Sequence, residues 1–174
     1  MNATATLSIA ELNAMSLADF VTTLDTIFEH SPWVVECAAE KRPFADIAAL
    51  HAAMVAEIEA AGAEAQMKLI LTHPELAGKA AVRGELTDES TREQKGAGLD
   101  QCSSEEFTRL QMLNGAYREK FGFPFILAVR GHTRASVIES FVRRLEHGRN
   151  EEIKACLEQI YRIGLFRLQD LVGG

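Results

Sequence analysis

Apolar residues return every three or four positions through most of this chain, and no stretch sustains the alternation of a half-buried strand. The pattern predicts an all-α fold. Leu17 to His30 reads as one helix, opened by Ser16 and Asp19 at capping-box spacing, with Phe20, Leu24, Ile27 and Phe28 on its apolar face. A short helix follows Ser31-Pro32, because proline suits the first helical position, and Pro43 ends that segment. Asp46 caps a long helix carrying Ile47, Leu50, Met54, Val55 and Ile58. Gly62 stops it, and a further helix from about Ala63 to Leu71 runs into His73-Pro74.

The stretch from Gly78 to Asp88 reads as a loop of about ten residues, long enough to carry function. Ser103 or Ser104 with Glu106 opens another long helix, whose face is Phe107, Leu110, Leu113, Ala116 and Tyr117 and whose terminator is Gly122. Then the pattern changes. Residues Phe121 to Val129 form a dense apolar run around Pro124, too short to span a membrane and more extended in character. Two helices close the chain, over about Thr133 to His147 and Asn150 to Leu171, with Gly148 between them. With no internal repeat, this is a single-domain helical bundle over residues 1–174 with one short extended apolar segment.

Composition narrows the partners more than the fold. A chain of 174 residues with 47% hydrophobic content can bury a real core. Its net charge of -7 and pI near 5.3 leave no basic surplus for phosphates, so nucleic acid is excluded as a partner. An anionic small substrate is not, since a pocket can hold local donors under a negative surface. Cys37, Cys102 and Cys156 lie far apart, without a CxxC pair, which argues against disulfides and points to a reducing cytoplasm. No signal peptide, membrane-spanning run or Ser-Lys-Leu type ending is expected from the residues present.

Three segments can carry chemistry. In LTHPELAGKAA, His73 sits where Pro74 breaks a helix, so its imidazole can be both oriented and accessible. A histidine at a helix end is also a common cap or surface residue. A metal held by His51, His73, Glu75 and His132 is disfavoured, because no HExxH or i, i+4 histidine pair is present. In DESTREQKGAGLD, Ser90, Glu93 and Gln94 share one helical face and can address a small polar ligand together. The same Ser-x-x-Glu spacing is also that of a capping box. In NGAYREKFGFPFILAVRG, the apolar run offers backbone amides only if it borders a cavity, and otherwise it is core.

The order and spacing of these segments, with Asn114 and Tyr117 leading into the third, resemble the 2-oxo-4-hydroxy-4-carboxy-5-ureidoimidazoline (OHCU) decarboxylase family. The resemblance implies an all-helical, cofactor-free homodimer that converts OHCU to (S)-allantoin and carbon dioxide. It makes His73 the catalytic histidine, with Pro74 beside it. Ser90, Glu93 and Gln94 would hold ureide polar groups, and backbone across Phe125, Ile126, Leu127, Ala128 and Val129 would clasp the opposite edge. Glu93 either anchors substrate N–H groups or tunes His73. A proton donor whose ordinary pKa is about 6.5 suits the neutral-pH chemistry that the family implies. Two competing readings are a different helical decarboxylase or redox enzyme of the carboxymuconolactone or alkylhydroperoxidase type, whose redox members need the missing CxxC, and a non-catalytic helical adaptor that binds protein partners.

Overall fold

The computed structural model describes residues 6–173. All its regular structure is helical, and a lone parallel bridge between Leu7 and Val172 is the only β pairing among the described residues. The chain divides into two compact units, one formed by residues up to Leu69 together with Tyr161 onward, the other by Ile70–Ile160.

The first unit contains α1 (Ile9–Ala14), α2 (Leu17–Leu24), α3 (Pro32–Ala39), α4 (Ile47–Ala60) and most of α5 (Ala63–Thr72). Ser16 Oγ accepts from Asp19 N and Asp46 Oδ1 from Ala49 N, so both caps form as their residue types dictate. Helix α3 packs against α2 and α4, and Phe20, Leu24, Val34, Val35, Leu50, Met54 and Ile58 are buried. Helix α2 stops at Leu24, six residues before the expected His30. The reason is tertiary. Buried Arg167 donates to Thr26 O at 3.0 Å and to Glu29 Oε1 at 3.0 Å, which draws the chain into turns that still bury Ile27 and Phe28. His30 leaves that turn with a left-handed φ of 47°.

The second unit contains α6 (Lys79–Arg83), α7 (Asp88–Gly96), α8 (Ser104–Phe121), α9 (Arg134–Arg144) and the first half of α10 (Arg149–Leu171). Helix α6 occupies part of the expected Gly78–Asp88 loop, because Lys-Ala-Ala-Val-Arg is a helix-forming run and Gly84 closes it at φ 70°. Ser103 and Glu106 form the capping box of α8, and Gly122 ends that helix at φ 81°. The buried face of α8 is Leu110, Asn114, Tyr117 and Phe121. Phe107 and Ala116, expected on that face, are exposed. The register is set instead by an aromatic cluster in which Tyr117 meets Phe121, Phe123, Phe125 and Phe141 at ring distances of 4.6–6.3 Å.

A charged network lies beneath that cluster. Arg144 Nη2 reaches Glu152 Oε2 at 2.8 Å, His147 Nδ1 lies 2.8 Å from Oε1, and the Tyr117 hydroxyl donates to the same carboxylate. Arg144 also lies 4.4 Å from the centre of the Phe125 ring. Burial pushes the Glu152 carboxyl upward, but the donors from Arg144, Tyr117 and His147 outweigh it and hold its pKa below the ordinary 4.5. Desolvation raises the pKa of both the Tyr117 hydroxyl and the Cys156 thiol, so these groups stay protonated at neutral pH. No helix of the described residues is long and apolar enough to cross a membrane.

Candidate active site

Helix α5 ends at Thr72, and His73 N bonds back to Ile70 O at 3.2 Å before Pro74 turns the chain away. His73 is buried, at 8% exposure, while Pro74 is half-buried. The turn that follows is tight. Gly78 N bonds to Glu75 O at 3.4 Å, and a Cβ at Gly78 would sit 2.7 Å from Glu75 Cβ. Ala77 adopts the left-handed region at φ 50°, an unfavourable conformation for a residue with a Cβ.

Helix α7 meets this turn through Gln94. Its Oε1 accepts from Ala77 N at 2.9 Å, and its Nε2 donates to Glu75 O at 3.3 Å. The cap of α7 is Thr87, which accepts from Ser90 N, so Ser90 lies inside the helix rather than capping it. Ser90 and Gln94 are buried and Glu93 is half-buried. The first two predicted segments are therefore joined, and the capping account of Ser90-x-x-Glu93 does not hold. Gln94 carries a duty not evident from sequence, since it holds the turn after His73 while keeping one amide hydrogen and one lone pair in reserve.

The third segment is tied to the same framework by Tyr117 of α8. Residues Pro124 to Val129 form neither helix nor strand, yet Phe123 through Val129 are buried. Their backbone partners alternate as in an extended chain. Ile126 O accepts from Arg144 and Ala128 N donates to Gln159 Oε1 at 3.0 Å, both toward α9 and α10. Leu127, between them, makes no hydrogen bond among the described residues, although it is only 8% exposed. A backbone amide left open in this way is able to meet a ligand. The Phe125 side chain is core, stacked on Phe141 at 3.7 Å.

Two contributors escaped the sequence reading of the site. Asn114 Nδ2 donates to Leu76 O at 2.9 Å, and Gln111 Nε2 donates to Ala77 O. With Arg118, which pairs with Glu75 at 2.8 Å, they form a polar stripe at i, i+3 and i+7 along α8. That spacing was the available signal. Among the described residues, no group of three His, Cys, Asp or Glu residues could hold a metal ion. A groove of about 780 Å³ lies on another part of the unit, lined by Glu105, Arg109, Met112 and Ile138, and includes no predicted site residue.

A family model described as OHCU decarboxylase matches residues 13–169. The chain is 41% identical over 162 residues to the uric acid degradation bifunctional protein PucL of Bacillus subtilis, covering 93% of this chain and 32% of that protein. It thus spans about a third of the length of the two bifunctional bacterial relatives. It is 36% identical over 164 residues to the 2-oxo-4-hydroxy-4-carboxy-5-ureidoimidazoline decarboxylase of Haloferax volcanii, covering 94% of this chain and 95% of that one. Among solved structures it is similar to one described as (S)-allantoin synthase, with a TM-score of 0.76 at 30% identity, covering 95% of this chain and 54% of that chain.

Proposed function

This chain belongs to the OHCU decarboxylase family, and we propose that it removes carbon dioxide from OHCU to give (S)-allantoin, with His73 as proton donor. The observation that carries this reading is the tie between the His73 turn and the Ser90 to Gln94 face through the Gln94 amide. It brings an imidazole, a hydroxyl, a carboxylate and an amide onto adjoining elements. The tie to Haloferax volcanii over nearly the full length of both chains supports the same activity here.

The substrate contains its own electron sink, so the reaction needs no metal or cofactor. When the C–C bond to the carboxylate breaks, its electron pair moves into the adjacent ring C=N bond, and the nitrogen gains a proton. The hydroxyl-bearing carbon becomes part of an enol. It relaxes to a carbonyl as the neighbouring, ureido-bearing carbon takes a proton on one face, which fixes the (S) centre. His73 supplies that proton, and orientation of the ring against it sets the stereochemistry. Ser90 and Glu93 hold the ureide from α7, Glu93 accepting its N–H groups. Pro74 lines the same side, and the open Leu127 backbone within Phe125 to Val129 meets the opposite edge.

Residues 1–174 work as one domain in this reading, supported by a family match that runs through both units. The protein acts as a homodimer in the cytoplasm. Exposed Phe107, Met112 and Val142 on α8 and α9 support the dimer, because apolar side chains of that size gain by being covered. Generating OHCU in situ from urate and following (S)-allantoin by circular dichroism tests the activity. Acceleration over the uncatalysed decay, with one enantiomer formed, is expected, and racemic product at the uncatalysed rate would overturn it.

A further inference from the structure

We infer that Asn114 and Gln111 of α8 are positioning residues that hold the imidazole of His73 in register through the turn behind it. Four backbone groups on three consecutive residues of that turn are bonded by side-chain amides. Gln94 takes Ala77 N and Glu75 O, Asn114 takes Leu76 O, and Gln111 takes Ala77 O. A surface turn ordinarily leaves such groups to water. Here two helices supply them, and Arg118 adds a tie to the Glu75 carboxylate.

Asn114 shows that its bond to Leu76 O is what the position provides. It is 4% exposed, and its Oδ1 is buried with no partner among the described residues. An unsatisfied buried acceptor is unfavourable, and leucine would fill nearly the same volume without one. The chain instead retains an amide whose single bond is aimed at the turn. That turn is also conformationally demanding, with Ala77 at φ 50° and Gly78 too close to Glu75 for any side chain. A strained turn persists only when its surroundings over-determine it. The turn begins two residues after His73, and the intervening Pro74 has a fixed φ, so a shift at Leu76 is passed to the imidazole rather than absorbed. A shift of 1 Å at a catalytic group can cost about a hundredfold in rate.

The inference rests on the proposed decarboxylase activity for its kinetic readout, and a second readout is independent of it. Asn114→Leu and Gln111→Leu are made singly, the second at a half-buried position. Each is expected to lower kcat by about 10- to 100-fold with KM changed less than about threefold, and to add nothing further in a His73→Ala background. Independently, chain labelled at histidine Cε1 should give one sharp His73 resonance, broadened or split in both variants with the other histidines unchanged. Losses that persist undiminished in the His73→Ala background, or an unaltered His73 resonance in both folded variants, would overturn the inference. A wild-type chain inactive on OHCU would sink the proposed function alone, leaving the resonance to decide this one.

Discussion

Replacing Glu152 by glutamine removes one charge from the buried network and little volume. Glu152 is fully buried and accepts from Arg144 through Nε at 3.1 Å and Nη2 at 2.8 Å. The new amide nitrogen can only donate, so on the side facing Arg144 it would meet a second obligate donor. Arg144 would then remain as an uncompensated cation in a dry site. Breaking a buried pair from one side costs about 3–5 kcal/mol. For a chain of this size about 2–4 °C follows from each kcal/mol, which gives a fall in Tm of about 6–20 °C. Thermal melts at neutral pH, followed by far-UV circular dichroism, measure it. The pH dependence has a definite sign. Because the folded-state pKa of Glu152 lies below its ordinary 4.5, its contribution is complete above that value and is lost as pH falls through the folded pKa. The gap in stability between the two proteins should therefore narrow as pH falls below 4.5 and close once pH lies below the folded-state pKa. A double replacement, Arg144→Met with Glu152→Leu, should recover much of the loss, since apolar groups of similar volume often match a buried pair. A Tm within about 2 °C of wild type for Glu152→Gln, or a gap that does not change with pH, would mean that the buried pair does not stabilise the fold.

Two further outcomes follow from the same structure. Glu93→Gln keeps the shape of the side chain but removes the charge proposed to accept ureide N–H groups, and charged hydrogen bonds contribute about 1.5–3 kcal/mol. Its kcat/KM should fall by about tenfold or more in steady-state assays with the Tm nearly unchanged, and an unaffected kcat/KM would remove Glu93 from the site. Met112→Asp places a charge on the exposed apolar side of α8, where Met112 is 71% exposed. Light scattering should show a dimer for wild type and a monomer for the variant; a monomeric wild type would overturn the proposed dimer, and a variant that stays dimeric would place the interface elsewhere.

Local signals in the chain account for most helix starts and stops. Thr133, Asp46 and Ser103 cap where their side chains and the apolar spacing behind them require, and Gly62 and Gly122 adopt the left-handed conformation that ends helices. The misread elements have non-local causes. Leu17 to Leu24 looks extendable to His30 until Arg167, far away in sequence, takes the carbonyl of Thr26. The apolar stripe of α8 differs from the expected one because Phe107 is exposed despite its hydrophobicity, whereas Asn114 is buried by a bond to Leu76, a partner that the polar spacing on α8 does not identify. The site divides in the same way. His73, Ser90 and Gln94 were legible as chemistry-bearing residue types at helical spacing. That Gln94 reaches the backbone of Glu75 and Ala77 was not, because the contact depends on how a turn folds back on a helix.

In the proposed reaction His73 delivers the proton that fixes the product's configuration. Wild type and His73→Asn, matched for folding by far-UV circular dichroism, should be given OHCU generated from urate while the near-UV signal of (S)-allantoin is recorded. Loss of a general acid lowers the rate by about 10²- to 10⁴-fold, so the variant should leave OHCU to decay at its own pace into racemic allantoin with no net signal. A folded His73→Asn protein that still builds the (S) signal at the wild-type rate would contradict the account.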